Sequence, residues 1–354
     1  MNFATYFKEQ IQVHPSMQPT DAAKLCYQAA FGAEHLLLDI EPAKNYMTDE
    51  FSSVPAACEK PLFEQISPDF CRVNLAAWKA QNIPCEWLFE LFRITASNGA
   101  ASDGQDIFLS CIRIIDTFAA SGDLPFNFIE WCDFKAQYDI HAPRPVHHSA
   151  IYREHEYPAY RVVSMRLAEL IPLLMRMSEL SQNDAPNVLA IDGRAAAGKT
   201  TSAAILAEIT GAEVIHMDDF FLPGKLRTEK RISEPGGNVH YERFLAEVIP
   251  HLLNGDAFDY QMFDCAEMRF GDTRYIRKAP WRIVEGSYSC HPNFKKYYTF
   301  SVFCDIAPED QIQRILRRDG SEIASVFSSR WIPMEELYFD VYRVRDAADI
   351  IFHF

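Results

Sequence analysis

Residues 187–211 read NVLAIDGRAAAGKTTSAAILAEITG, and this stretch decides how the second half of the chain folds. An apolar run of strand length, Val188 to Ile191, leads into Gly193, Gly198, Lys199 and Thr200 in the spacing G-x-x-x-x-G-K-[ST], and an alanine-rich run of helix length follows. A strand, a glycine turn and a helix in that order form a phosphate cradle. The glycines let backbone N–H groups turn inward, the lysine reaches the outer phosphates, and the threonine hydroxyl ligates Mg²⁺. The expected nucleotide-binding residues are Gly193, Arg194, Ala195, Ala196, Ala197, Gly198, Lys199, Thr200 and Thr201. Ala196 stands where such loops commonly carry a third glycine, which is tolerable if its φ stays below zero.

Working outward, 354 residues with 48% hydrophobic content suit two globular domains. The composition shift at SQNDAP places the boundary so that residues 1–182 form a mostly helical domain of unknown role and residues 183–354 an α/β domain. The start of the chain shows no secretory pattern and no long apolar run appears, so a cytoplasmic protein is expected. Nine cysteines without a C-x-x-C pair read as reduced thiols, mostly buried. A net charge of −15 disfavours nonspecific binding to nucleic acid or to an anionic membrane. The expected partner is a small-molecule substrate, and the oligomeric state stays open.

In the first half, Thr20 or Asp21 can cap a helix running to Asp39, with Leu25, Phe31, Leu36 and Leu37 at helical spacing. Further helical runs are VNLAAWKAQN, CEWLFELFRITAS and DIFLSCIRIIDTFAAS. The segment RPVHHSAIYREHEYPAYR, residues 144–161, reads as a connector packed by its aromatics, with a ligand surface as the alternative. A last helix over residues 162–180 should kink at Pro172.

The second half alternates strands with helices, the pattern of a parallel sheet. Strands are expected at 188–192, 213–217, 282–285, 299–305 and 349–352. Ligands of such sheets bind beyond the carboxyl ends of the strands, where Asp218 and Asp219, Glu285, and Asp305 fall. Carboxylates there suit Mg²⁺ coordination and hydroxyl deprotonation. Asp305 more readily reads as the cap or solvated end before the helix at Pro308.

DGRAAAGKTT, then VIHMDDFFLP, EPGGNVHYERF, VEGSYSCHP and RILRRDG together resemble the uridine kinase-like group of P-loop small-molecule kinases, over residues 187–352 only. The resemblance implies an α/β P-loop kinase domain, a five-stranded parallel sheet flanked by helices with a mobile lid. It implies ATP and Mg²⁺ as cofactors, with Thr200, Asp218 and Glu285 as the metal-linked set. Asp218 falls on the base, next to Lys199, and Arg314, Arg317 and Arg318 fall on the lid, where they would neutralise phosphoryl charge. An ionised Asp218 is expected beside the metal.

Departures from that group concern the acceptor. His240 replaces an aspartate that grips ribose hydroxyls, Met268 stands where a base-reading histidine is expected, and GSEIASVFSSRW replaces an arginine-rich lid segment. Asp219, Arg231, Asn238, His240, Tyr260 and Asp264 lie on segments expected to border the acceptor pocket, Asp219 serving otherwise as a turn cap. The expectation is thus an ATP- and Mg²⁺-dependent phosphotransferase acting on a hydroxyl of a small metabolite. The alternative is a nucleotide-dependent switch in which ATP binding controls the helical domain.

Overall fold

The computed structural model describes residues 3–33, 39–98, 103–181, 186–265 and 267–353. The chain divides into two compact units, Met1–Ser178 and Glu179–Phe354.

The first unit is mainly helical. Its longer helices are Phe3–Val13, Pro19–Phe31, Ile40–Ser53, Cys85–Ser97 and Gly104–Ser121, around a core that includes Phe7, Trp78, Leu88, Phe108 and Trp131. It also holds a three-stranded antiparallel sheet in the order β1 (Phe63–Gln65), β2 (Phe70–Asn74), β3 (Tyr160–Ser164). The sheet corrects the expectation of one kinked helix over 162–180. Val162 and Val163 are β-branched and pair with β2, and Pro172 opens the helix Ile171–Leu180 instead of bending it, since a first-turn residue needs no N–H partner. The cap of the helix Pro19–Phe31 also differs from expectation. Gln18 is the N-cap, and the Asp21 carboxylate accepts its backbone N–H at 3.0 Å. That helix stops at Gly32, and Leu36 and Leu37 lie outside the described residues. Within 144–161, Ser149 caps a short helix, Ala150–Glu156.

The second unit is built on a five-stranded parallel sheet in the order β10-β9-β4-β8-β5. Its strands are β4 (Asn187–Gly193), β5 (Glu213–His216), β8 (Trp281–Glu285), β9 (Phe300–Cys304) and β10 (Ile350–Phe352), and helices flank them. Strands β4, β8 and β9 are buried along their whole length, which is why they read as unbroken apolar runs. A hairpin, β6 (Phe258–Asp264) with β7 (Arg269–Ile276), was not expected, although β6 buries Phe258, Tyr260 and Phe263 while Asp259 and Gln261 face solvent. Helix Pro308–Val326 breaks at Gly320, and the chain continues through a π-helical turn, Phe327–Trp331, into Ile332–Tyr342. Among the described residues no helix is long and apolar enough to cross a membrane. All nine cysteines are free; four are buried, and Cys58 and Cys265 are exposed, so the thiols are less buried than expected.

Candidate functional site

The phosphate loop leaves β4 at the middle of the sheet and enters helix Lys199–Thr210. Asp192, at the buried strand end, accepts the backbone N–H groups of Gly193 (2.7 Å), Tyr288 (3.1 Å) and Cys290 (2.9 Å) and the Tyr338 hydroxyl (2.8 Å). This carboxylate ties the loop's base to the strand β8 exit. Gly193 has φ 133 and pairs with Cys304 of β9, so close that a side chain there would meet the Cys304 backbone. Ala196 has φ 58, so the condition of a negative φ is not met: the loop turns left-handed at this residue although it is not glycine, at a cost of about 1–2 kcal/mol.

The Lys199 ammonium donates to the carbonyls of Gly193 (2.7 Å) and Arg194 (2.8 Å) and is nearly buried. The Thr200 hydroxyl lies 3.2 and 3.1 Å from the two Glu285 oxygens. Glu285 also pairs with His216 Nδ1, so the ends of β5 and β8 and the helix start share one carboxylate. Asp218 sits two residues beyond His216 and stays exposed to water. Its carboxyl is pushed upward by the surrounding protein mass and then by the charge of Glu285, with Lys199 and His216 pulling the other way. The protein's own groups thus raise the Asp218 carboxyl, and a bound cation, beside which it is expected ionised, would pull the other way.

Sequence reasoning missed the groups that hold the loop from its outer side. Glu335, buried on helix Ile332–Tyr342, accepts the Ala195 N–H at 3.0 Å and lies 2.7 Å from the Ser287 hydroxyl. Glu336 takes Arg194 in a two-point ion pair at 2.7 and 3.0 Å. Arg194 also pairs with Asp305, which receives Arg345 at 2.8 Å. Those two cations, with the Ile306 N–H, keep Asp305 below the usual carboxylate range despite partial burial. Asp305 is thus an ion-pair centre, not the expected cap; Ala307 holds that position. Gln311 donates to the Ala195 carbonyl at 3.1 Å. Of the three lid arginines, Arg314 reaches the Ala196 carbonyl at 3.3 Å, Arg317 turns to Gln313 of its own helix, and Arg318 pairs with Asp319. Glu335 and Glu336 carried no signal in the sequence beyond being acidic on a helix.

The residues expected around the acceptor separate into two groups. Arg231 is spent on structure: it donates to the carbonyls of Gly237 and Val239, both at 2.9 Å, pairs with Glu242, and lies over the Tyr241 ring at 3.6 Å. Asn238 is buried and its backbone carbonyl accepts the Leu222 N–H. Asp264 accepts the Glu267 N–H at 3.0 Å in the hairpin turn. Nearer Asp218, Asp219 accepts the Tyr260 hydroxyl at 2.8 Å and faces Arg274 at 3.8 Å, so its carboxylate does not cap the following turn. Arg243 donates to the carbonyls of Asp219 (2.9 Å) and Gln261 (2.6 Å), fastening the strand end to the hairpin. His240 is the N-cap of helix Tyr241–Glu247, where its Nδ1 accepts the Arg243 N–H at 3.2 Å. That bond requires a bare Nδ1, which places the ring proton on Nε2 and leaves His240 one outward donor.

Among the described residues no group of three or more His, Cys, Asp or Glu could by itself enclose a metal ion. The donors present, Thr200, Glu285 and Asp218, are hard oxygens that fit Mg²⁺ held jointly with phosphate oxygens.

No family model matches this chain. No curated protein matches it either. Solved structures do match over about half of its length. One, described as a possible uridine kinase from Bacillus stearothermophilus, is 20% identical with a TM-score of 0.39, over 51% of this chain and 99% of that one. Another, from a Silicibacter species and provisionally assigned as a fructose transport system kinase, is 18% identical with a TM-score of 0.38, over 50% of this chain and 98% of that one.

Proposed function

We propose that the second unit is an ATP- and Mg²⁺-dependent phosphotransferase that phosphorylates a hydroxyl group of a small metabolite. The observation that carries the proposal is the convergence of Lys199, Thr200, Glu285 and Asp218 at the carboxyl ends of β4, β8 and β5, around one phosphate loop. Bound Mg²⁺–ATP supplies the phosphoryl group and offsets its charge. Thr200 and Glu285, already in contact, would hold the cation, with Asp218 beside them. Lys199 exchanges its two carbonyl acceptors for phosphate oxygens, a swap that keeps a buried ammonium satisfied throughout. Asp218, open to water, accepts the proton of the acceptor hydroxyl. Arg314, which reaches the loop, stabilises charge on the transferring group ahead of Arg317 and Arg318, which are engaged on their own helix.

The acceptor side supports a hydroxyl compound that is not gripped as a ribose diol. A diol contact needs an acceptor for two hydroxyl protons, and His240 offers one donor. The deciding experiment measures ATP turnover of the purified chain with pools of nucleosides, vitamins and sugar acids, beside Lys199→Ala. Turnover should rise with one pool and vanish in the variant. Turnover that no pool stimulates, or that survives in folded Lys199→Ala, would refute the reading.

A further inference from the structure

We propose that the first unit carries a ligand site of its own, built around the buried guanidinium of Arg72, for a small molecule that presents an oxyanion, carboxylate or phosphate. The proposal stands independently of phosphotransfer in the second unit.

Arg72 lies on the central strand β2 and is only 4% exposed. Its Nε and Nη2 donate to one neutral oxygen, Gln28 Oε1, at 3.0 and 2.6 Å. The nearest carboxylate oxygen, Glu64 Oε1, is 3.9 Å from Nη1, beyond hydrogen-bonding distance. Glu64 is moreover engaged elsewhere, accepting the Tyr6 hydroxyl at 3.0 Å and the Gln10 amide at 3.4 Å. Among the described residues no hydrogen bond from Nη1 to a protein acceptor forms, so this edge of a largely buried guanidinium is open to a ligand oxygen.

A second cation lies close enough to feel the charge of Arg72. Lys24 has a single acceptor among the described residues, the Val146 carbonyl at 3.0 Å. Burial and the charge of Arg72 hold its ammonium down to about 8, with Asp21 pulling the other way. Two cations that repel each other are expected where an anion binds. Asp21 contributes a nearby negative charge but hydrogen-bonds neither cation, since its oxygens accept from His148 at 2.8 Å, from the Ser149 hydroxyl at 2.7 Å and from two backbone N–H groups at 3.0 Å.

Two further groups are poised for a ligand. Gln10, 4% exposed, has its Oε1 buried with no partner among the described residues, an acceptor offered beside Glu64. Tyr160, whose ring lies 4.3 Å from the Arg72 guanidinium carbon, meets His148 Nε2 at 2.7 Å. His148 donates its Nδ1 proton to Asp21 and stays neutral, burial pulling it down to about 4, so Nε2 takes the phenol proton at 2.7 Å in preference to Gln28 Oε1 at 3.3 Å, and the Tyr160 oxygen keeps its lone pairs as an acceptor. The site therefore matches an anion together with a hydroxyl or amine donor, which is the pattern of a polar metabolite. Lys24, His148 and Tyr160 are partly exposed and give the way in.

The test reads the Nε–H resonance of Arg72 in the ¹⁵N-arginine-labelled full chain while inorganic phosphate, and separately acetate, is added. A saturable shift is expected with at least one anion, unchanged in Lys199→Ala and at least roughly ten-fold weaker in Lys24→Gln, an effect of one lost charge contact. Saturation by phosphate alone assigns a phosphorylated ligand, and by acetate alone a carboxylate. No saturable shift with either anion by about 10 mM would overturn the proposal from the wild-type chain alone, whether or not Lys24→Gln folds. A shift lost in Lys199→Ala would overturn it as well, since the anion would then be bound at the phosphate loop.

Discussion

Replacing Gly193 by alanine tests whether backbone packing, and not loop composition, sets the phosphate cradle. Its φ of 133 is nearly closed to L side chains, a conformation that costs about 1–3 kcal/mol in a residue with a Cβ. The added carbon would stand 2.6 Å from the Cys304 nitrogen, 2.8 Å from its carbonyl carbon, and nearer still to its oxygen. These are backbone atoms of a buried strand, so β9 must move, an overpacking cost of about 1–3 kcal/mol. Moving it loosens the bond from the Arg194 N–H to the Cys304 carbonyl, now 3.1 Å, for roughly 1 kcal/mol more. The expected loss is therefore about 3–7 kcal/mol, a large part of the ~5–15 kcal/mol that holds a domain together. Gly211→Ala is the matched control. Its φ of 72 is also positive, yet no atom lies within 4 Å of an added Cβ, so only the left-handed penalty of about 1–2 kcal/mol applies. Urea unfolding of both variants should give a midpoint far lower for Gly193→Ala at unchanged slope. Equal losses in the two variants would refute the close-packing argument.

Asp218→Asn should lower the phosphoryl-transfer rate by roughly 10²–10⁴-fold with ATP affinity nearly kept, because an amide cannot accept the hydroxyl proton; pre-steady-state transfer and ATP titration check it. Glu335→Gln should keep the loop intact, since the amide oxygen can accept the Ala195 N–H while the amide nitrogen donates to Ser287, whose proton can turn to the Gly193 carbonyl at 3.1 Å. Removing a buried negative charge that contacts the loop should tighten ATP by roughly ten-fold, measured by calorimetry. Burial raises the Glu335 pKa above its ordinary 4.5, so folding favours the protonated form. Wild-type stability from this group is full below that value and declines as pH rises through the folded pKa, and the variant's advantage should grow over the same range; an advantage that shrinks would contradict the burial argument. Uridine should be a poor acceptor, with kcat/KM below about 10⁴ M⁻¹s⁻¹, and a higher value would mean that His240 serves the ribose after all.

The chain itself announces whatever rests on local spacing. The phosphate loop, the α/β alternation and the acidic strand ends are written in runs of a few residues, because strand and helix periods and a glycine turn are short-range properties. Helices Cys85–Ser97 and Gly104–Ser121 were legible for the same reason, each being strongly amphipathic between clear breaks. The strand over Tyr160–Ser164 was not, because its pairing partner β2 lies some ninety residues earlier and only that pairing overrides the helical appearance that Val162 and Val163 share with residues 165–180. At the site the division is the same. Lys199 and Thr200 are named by their motif, but the carboxylates that hold the loop, Glu335 and Glu336, arrive from 140 residues or more away on a helix whose acidic residues look like any solvated face. Arg231 and His240 were both expected at the acceptor pocket, yet only the folded chain decides that the arginine is consumed by carbonyls and that the histidine gives its Nδ1 to a helix cap. Nor could composition show that Ala196 turns left-handed, since a residue's φ there is imposed by the strand before it and the helix after it. Tertiary structure decides which polar groups are spent on the protein and which remain for a ligand, because hydrogen-bond partners are set by position in space and a buried polar group must find one.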